Sequence, residues 1–121
     1  MKLLKLSAFS LLLILSACGQ NESKIDKKAE ITFIELGSVK CVPCKKMQVV
    51  IKQIEEKYPT QVKTIFYDVW IDEGEPYAEE YNIDPIPTQV FLDKNGTEFY
   101  RHEGFFPFEE LDLIIQQQLN K

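Results

Sequence analysis

"KCVPCKK", residues 40–46, is the stretch on which the fold turns. Two cysteines stand two residues apart, one of the intervening residues is proline, and lysines flank the pair. Such a pair can be half of a metal site, a structural staple, or a dithiol that opens and closes. Its neighbours place it. Upstream, "ITFIEL" (31–36) is short, apolar and β-rich, which predicts a strand. Downstream, Met47, Val50, Ile51, Ile54 and Tyr58 fall at helical spacing, while Lys45, Lys46, Lys52, Glu55 and Glu56 fall largely elsewhere. Pro59 cannot continue that helix and pushes Tyr58 toward extended geometry. The pair therefore lies where a strand hands over to a helix.

The rest of the chain follows the same grammar. "VKTIFYDVW" (62–70) reads as a second strand, and the acidic "DEGEPYAEEYNI" (72–83) holds one short helix. In "TQVFLDKNGTEFYRH" (88–102), two β-rich runs flank a turn in which Asn95 and Gly96 tolerate positive φ. "PFEELDLIIQQQLN" (107–120) closes the chain as a helix with Leu111, Ile114, Ile115 and Leu119 on one face. Two strands joined by a helix should be parallel with a right-handed crossover, and the hairpin adds an antiparallel pair. The expected fold is α/β, a four-stranded mixed sheet with helices on both faces. His102 is expected as a surface hairpin residue, and Trp70, Phe105 and Phe106 as core or rim.

Helix position gives the pair its chemistry. The first turn of a helix carries unsatisfied N–H groups and partial positive charge. A thiolate there gains up to about 2 kcal/mol. That is enough to bring a thiol from about 8.5 to about 7. Lys40 and Lys45 add to it. The spacing suits disulfide geometry, and Val42-Pro43 is a rigid dipeptide whose proline fits a helix's first turn. Cys41, nearer the free end, should attack, and Cys44 should resolve the mixed disulfide. A zinc site needs about four ligands, and beyond the pair the chain offers His102 and carboxylates but no second C-x-x-C. A staple closing so short a loop restricts the unfolded chain very little.

C-x-x-C at a strand–helix junction reads as a redox motif, and here the chain resembles the thioredoxin superfamily. "CVPCKKM" resembles that family's C-x-P-C-K-x-M, and "YNIDPIPTQVFLDKNG" (81–96) resembles its second signature around Ile-Pro-Thr. Gly104 falls where the family has a glycine after its last strand. The resemblance covers residues 30–120 and implies a thioredoxin-like domain over 31–121, with no cofactor. It implies that Pro87 is cis and faces the cysteines, that Ile86 lends backbone to substrate, and that Glu35, six residues before Cys41, relays the proton of Cys44. A desolvated carboxyl has a raised pKa, which suits that exchange; a Glu reaching solvent at a strand edge is the alternative. Three positions depart from the family. Lys40 replaces the Trp before the first cysteine, Val42 replaces Gly, and Val49 replaces the mid-helix proline. The docking surface is altered, so thioredoxin partners do not carry over. The stretch between Trp70 and Thr88 is too short for the insertion of the cytochrome-maturation branch.

The first residues read as targeting. "MKLLK" is a basic lead, and "LSAFSLLLIL" is an apolar run of signal-peptide length. Leu15, Ser16, Ala17 and Cys18 resemble the lipobox of bacterial lipoproteins, in which cleavage precedes a lipidated cysteine. This divides the chain into a signal peptide (1–17), a lipidated Cys18 with a polar tether (18–30), and the domain. The tether reaches at most about 40 Å, which holds the domain at its membrane. Gly19, where an Asp would argue for inner-membrane retention, favours the outer membrane in a Gram-negative source. Lipidation of Cys18 leaves Cys41 and Cys44 as the remaining pair of the three cysteines, in a compartment where disulfides form.

The 121 residues carry a net charge of −5 and no basic stripe, so nucleic acid is excluded as a partner class. The expected protein is a monomeric, extracytoplasmic, lipid-anchored thiol–disulfide oxidoreductase acting on protein thiols and disulfides. Strongly oxidising relatives carry His between the cysteines, and Val42-Pro43 has none, which favours reduction. A reductase outside the cytoplasm needs an upstream membrane thiol donor. Two other classes stay open: a non-catalytic module holding an extended peptide at Ile86-Pro87 by strand addition, and a chaperone holding copper on Cys41 and Cys44.

Overall fold

The computed structural model describes residues 28–121. The expected signal peptide, Cys18 and all of the tether before Lys28 lie outside the described residues. Strand β1 (Ile31–Gly37) is followed by helix α1 (Val42–Lys57), strand β2 (Val62–Asp68), helix α2 (Glu75–Glu80), strands β3 (Thr88–Asp93) and β4 (Glu98–Glu103), and helix α3 (Phe108–Leu119). The sheet order is β2-β1-β3-β4. β1 is central; it runs parallel to β2 and antiparallel to β3, which pairs antiparallel with β4. The mixed sheet expected from the sequence is the sheet observed.

Strand alternation divides the apolar residues between two faces. Ile31, Phe33, Val62 and Phe91 meet Met47, Val50, Ile51 and Ile54 of α1 and Leu111 and Ile115 of α3. Ile34, Leu36 and Val90 point the other way, toward Tyr77, Ala78 and Tyr81 around α2. Full burial of a Phe or Ile side chain contributes about 1.5–3 kcal/mol, so the α1–α3 face carries most of the core. Phe33 and Phe91 meet edge to face, with centroids 5.1 Å apart. α3 is tied to α1 twice. Tyr58 Oη donates to Asp112 Oδ1 at 2.6 Å, and Lys57 Nζ pairs with Asp112 Oδ2 at 2.7 Å.

Several local details differ from the reading of the sequence. β2 ends at Asp68, short of residue 70, because the Asp68 carboxylate accepts the N–H of Trp70 at 3.1 Å and turns the chain outward. Trp70 is consequently exposed. In the hairpin, Gly96 takes positive φ (80°) and Asn95 does not. The N–H of Asn95 and that of Thr97 both donate to Asp93 Oδ1, so the aspartate organises the turn. His102 is not a surface residue. It is half-buried and its ring stacks on Phe106, centroids 4.0 Å apart.

Candidate active site

The cysteine pair sits at the carboxyl end of the central strand. After β1 the backbone turns within Ser38–Lys40, and the Cys41 N–H donates to Ser38 O at 3.2 Å. Cys41 is the N-cap of α1 in extended conformation (φ −91°, ψ 126°). No side chain caps this terminus, and the first turn contains no acidic residue. Pro43 stands in that turn and has no N–H to leave unsatisfied. The positive end of the helix is thus left to the sulfurs. Cys41 and Cys44 are joined as a disulfide, with Cα atoms 5.2 Å apart. Cys41 is 8% exposed and Cys44 1%. Val42 projects into solvent, as do Lys40, Pro43 and Lys45. Among the described residues, no group of three Cys, His, Asp or Glu side chains gathers to hold a metal ion.

The approach loop is held from below by Asp68. Its Oδ2 accepts the N–H of Val39 at 3.1 Å while Oδ1 takes that of Trp70. Partial burial pushes its pKa up, but these two N–H groups, the Ser38 hydroxyl and the Lys40 charge outweigh it and hold the carboxyl below the usual range.

Glu35 lies beneath the pair. It is 0% exposed, and neither carboxylate oxygen has a hydrogen-bond partner. Gly37 shows where the side chain points. A Cβ there would stand 3.1 Å from Cys44 Sγ and 3.5 Å from Glu35 Oε1. The sulfur and the carboxyl therefore face one another across a bare Cα, no more than about 7 Å apart, within the reach of bridging water. Burial pushes the Glu35 pKa up to about 8, and the neighbouring Gln89 amide opposes that shift. Gln89 is not at hydrogen-bond length from Glu35; its Nε2 donates to Gly104 O at 3.1 Å.

Pro87 reaches the same end of the sheet. Leu36 pairs with Thr88 across β1 and β3, so Pro87 stands opposite Gly37. The Ile86-Pro87 bond is cis. The Pro87 carbonyl is taken by the N–H of Gly104 at 2.7 Å. No described residue makes a backbone hydrogen bond to Ile86, whose side chain is half-buried.

A family model described as a thioredoxin-like domain matches residues 19–119. The chain belongs to the thioredoxin-like domain family. The thioredoxin of Bacillus subtilis is 30% identical over 79 residues, 65% of this chain and 73% of that protein. An Arabidopsis thaliana thioredoxin is 30% identical over 82 residues, 68% of this chain and 51% of the relative. An H-type thioredoxin of Oryza sativa is 30% identical over 76 residues, 63% and 59%. The chain thus spans between half and three fifths of the length of these two plant relatives. Mitochondrial thioredoxin 3 of Saccharomyces cerevisiae superposes with a TM-score of 0.62 at 28% identity, over 76% of this chain and 82% of that one. A chloroplastic thioredoxin z matches in fold, with a TM-score of 0.68 at 24% identity over 78% and 82%.

In this thioredoxin-like domain the structure brings Cys41, Cys44, Glu35 and Pro87 to one end of the sheet, with Val42, Pro43, Lys40 and Lys45 on the exposed rim. Three contributors were not read from the sequence. Asp68 lies inside the stretch expected as the second strand, and Gly37 one residue past the stretch expected as the first. Gln89 looked like one more alternating strand residue. No signal in the sequence marks them, because all three depend on which atoms approach from elsewhere in the chain.

Proposed function

We propose that this protein is a membrane-tethered, extracytoplasmic thiol–disulfide oxidoreductase that reduces protein disulfides with its Cys41–Cys44 dithiol. The observation that carries the reading is the pairing of an uncapped, acid-free helix start at Cys41 with a buried carboxyl facing Cys44 across Gly37. In the reduced state, Cys41 attacks as thiolate and forms a mixed disulfide with one substrate sulfur, releasing the other as thiolate. Ionised Glu35 then takes the proton of Cys44. The Cys44 thiolate attacks Cys41 Sγ, the bond to substrate breaks, and the second substrate sulfur leaves as thiolate. Two electrons pass to the substrate and the Cys41–Cys44 disulfide remains. A membrane thiol donor returns the electrons.

The substrate lies along the rim. Val42 (66% exposed) and Trp70 (59%) offer apolar surface, and the free backbone of Ile86 accepts an extended segment beside Pro87. Lys40 and Lys45 favour the thiolate of Cys41. Attachment rests on Cys18 as the lipidated residue, with residues 1–17 removed and 18–30 as tether to the 31–121 domain. Among the described residues, no helix is long and apolar enough to cross a membrane. The membrane is the outer one in a Gram-negative source, and the domain acts as a monomer.

The experiment has two arms. Metabolic labelling with a radiolabelled fatty acid should mark the wild-type chain and not Cys18→Ser. Reduction of insulin should require both Cys41 and Cys44. Turnover surviving their double replacement would remove the catalytic assignment. Stoichiometric Cu(I) or peptide binding without turnover would put a chaperone or a binding module in its place.

A further inference from the structure

Glu35, Gln89 and His102 form a row across three strands. Glu35 pairs in register with Gln89, and Gln89 with His102, so all three side chains share the face under α1. Gln89 is fully buried, and its amide is held at both ends. Gly104 O can only accept, which places Nε2 on that side at 3.1 Å. Oε1 then lies against His102 Nδ1 at 2.8 Å, and the imidazole must carry its proton there. The ring cannot swing away, because it is stacked on the buried Phe106.

An amide nitrogen has two hydrogens, and Gly104 uses one. The other is left for the carboxyl of Glu35, on which the Gln89 amide acts. No charge among the described residues acts on Glu35. β2 sets Phe66 opposite it, β3 sets Gln89, and from α1 the titratable group facing it is Cys44.

We propose that Gln89, clamped between His102 and Gly104, is a positioning residue: it presents its remaining N–H to Glu35 and stabilises the ionised form that receives the Cys44 proton. The proposal rests on the oxidoreductase reading. Without this donor the buried carboxylate would have no partner among its protein neighbours, and the proton would stay on Cys44. With it, the step is balanced: the S–H bond of Cys44 breaks, an O–H bond forms on Glu35, and the electron pair left on sulfur makes the new S–S bond to Cys41.

The test is the titration of the Glu35 carboxyl, followed by carbon NMR in the oxidised full-length protein. It is run beside single-turnover decay of a Cys41 mixed disulfide. In Gln89→Leu and Gln89→Met the Glu35 midpoint should rise by about one pH unit. At pH 7 the mixed disulfide should then decay about tenfold more slowly. Alkylation of Cys41 by iodoacetamide should not follow this change. His102→Phe keeps the stack and frees the amide, so the midpoint should move the same way by less. A Glu35 midpoint unchanged in whichever Gln89 variant folds overturns the coupling, even if activity falls. A wild-type protein that never resolves a mixed disulfide overturns the oxidoreductase reading instead, whatever the titration shows.

Discussion

Glu35 Oε1 and Cys44 Sγ converge on the position where a Cβ of Gly37 would be, 3.5 Å from the oxygen and 3.1 Å from the sulfur. The smallest residue in the strand thus sits between the carboxyl and the sulfur for which proton exchange is proposed. Anything larger would separate them.

Gly37→Ala should test that closeness. The added methyl meets the Cys44 Cβ as well, at 3.2 Å, and neither neighbour is the loose end of a long side chain. Overpacking of this kind costs about 1–3 kcal/mol. Urea denaturation of the oxidised protein should show the loss. Stopped-flow resolution of a mixed disulfide should slow, because Cys44 is pushed off line.

Burial of Glu35 makes stability depend on pH in a definite direction. Its folded pKa is about 8 against an ordinary value of 4.5, so the folded state holds the proton more tightly. The stabilisation is complete below pH 4.5 and is lost as pH rises through about 8. The full swing is on the order of 5 kcal/mol. Denaturation midpoints of the oxidised wild type should fall across that window. Glu35→Gln should flatten the curve and be the more stable protein at the alkaline end. Parallel curves for the two would mean that Glu35 is ionised throughout.

Asp68 should govern the order of the approach loop. In Asp68→Ala, amide hydrogen exchange at Val39 and Trp70 should lose its protection. Asp68→Asn keeps one acceptor oxygen and should retain part of it. Unchanged exchange in the alanine variant would show that the loop is held by other means.

Tyr58→Phe serves as a control remote from the cysteines. It removes the 2.6 Å bond to Asp112 that ties α1 to α3. The expected loss is about 1–2 kcal/mol, with insulin reduction at the wild-type rate. A matching loss of activity would show that the helix pair transmits strain to the site.

What could be read from the sequence was what is local. Cys41, Cys44 and Pro59 announce a helix start and stop within a few residues, and the spacing of Met47 to Tyr58 sets its buried face. Glu35 was within reach because its offset from Cys41 fixes its place on the strand. Its lack of any partner was not, since that depends on what β2 and β3 set beside it. Gln89 and His102 are thirteen residues apart, and only the hairpin register makes them neighbours. Nothing in "RHE" distinguishes a stacked imidazole from a surface one. Trp70, expected in the core or at its rim, is exposed because Asp68 ends the strand before it.

The most direct measurement is the fate of an insulin disulfide presented to the reduced protein and its two single-cysteine variants. Wild type should turn over with dithiothreitol as donor. Cys41→Ser should be inert, and Cys44→Ser should stop as a one-to-one mixed disulfide through Cys41 that mass spectrometry can map. Equal turnover by all three, or a stable adduct through Cys44 in Cys41→Ser at the same rate, would contradict the assignment of Cys41 as nucleophile and Cys44 as the resolving thiol.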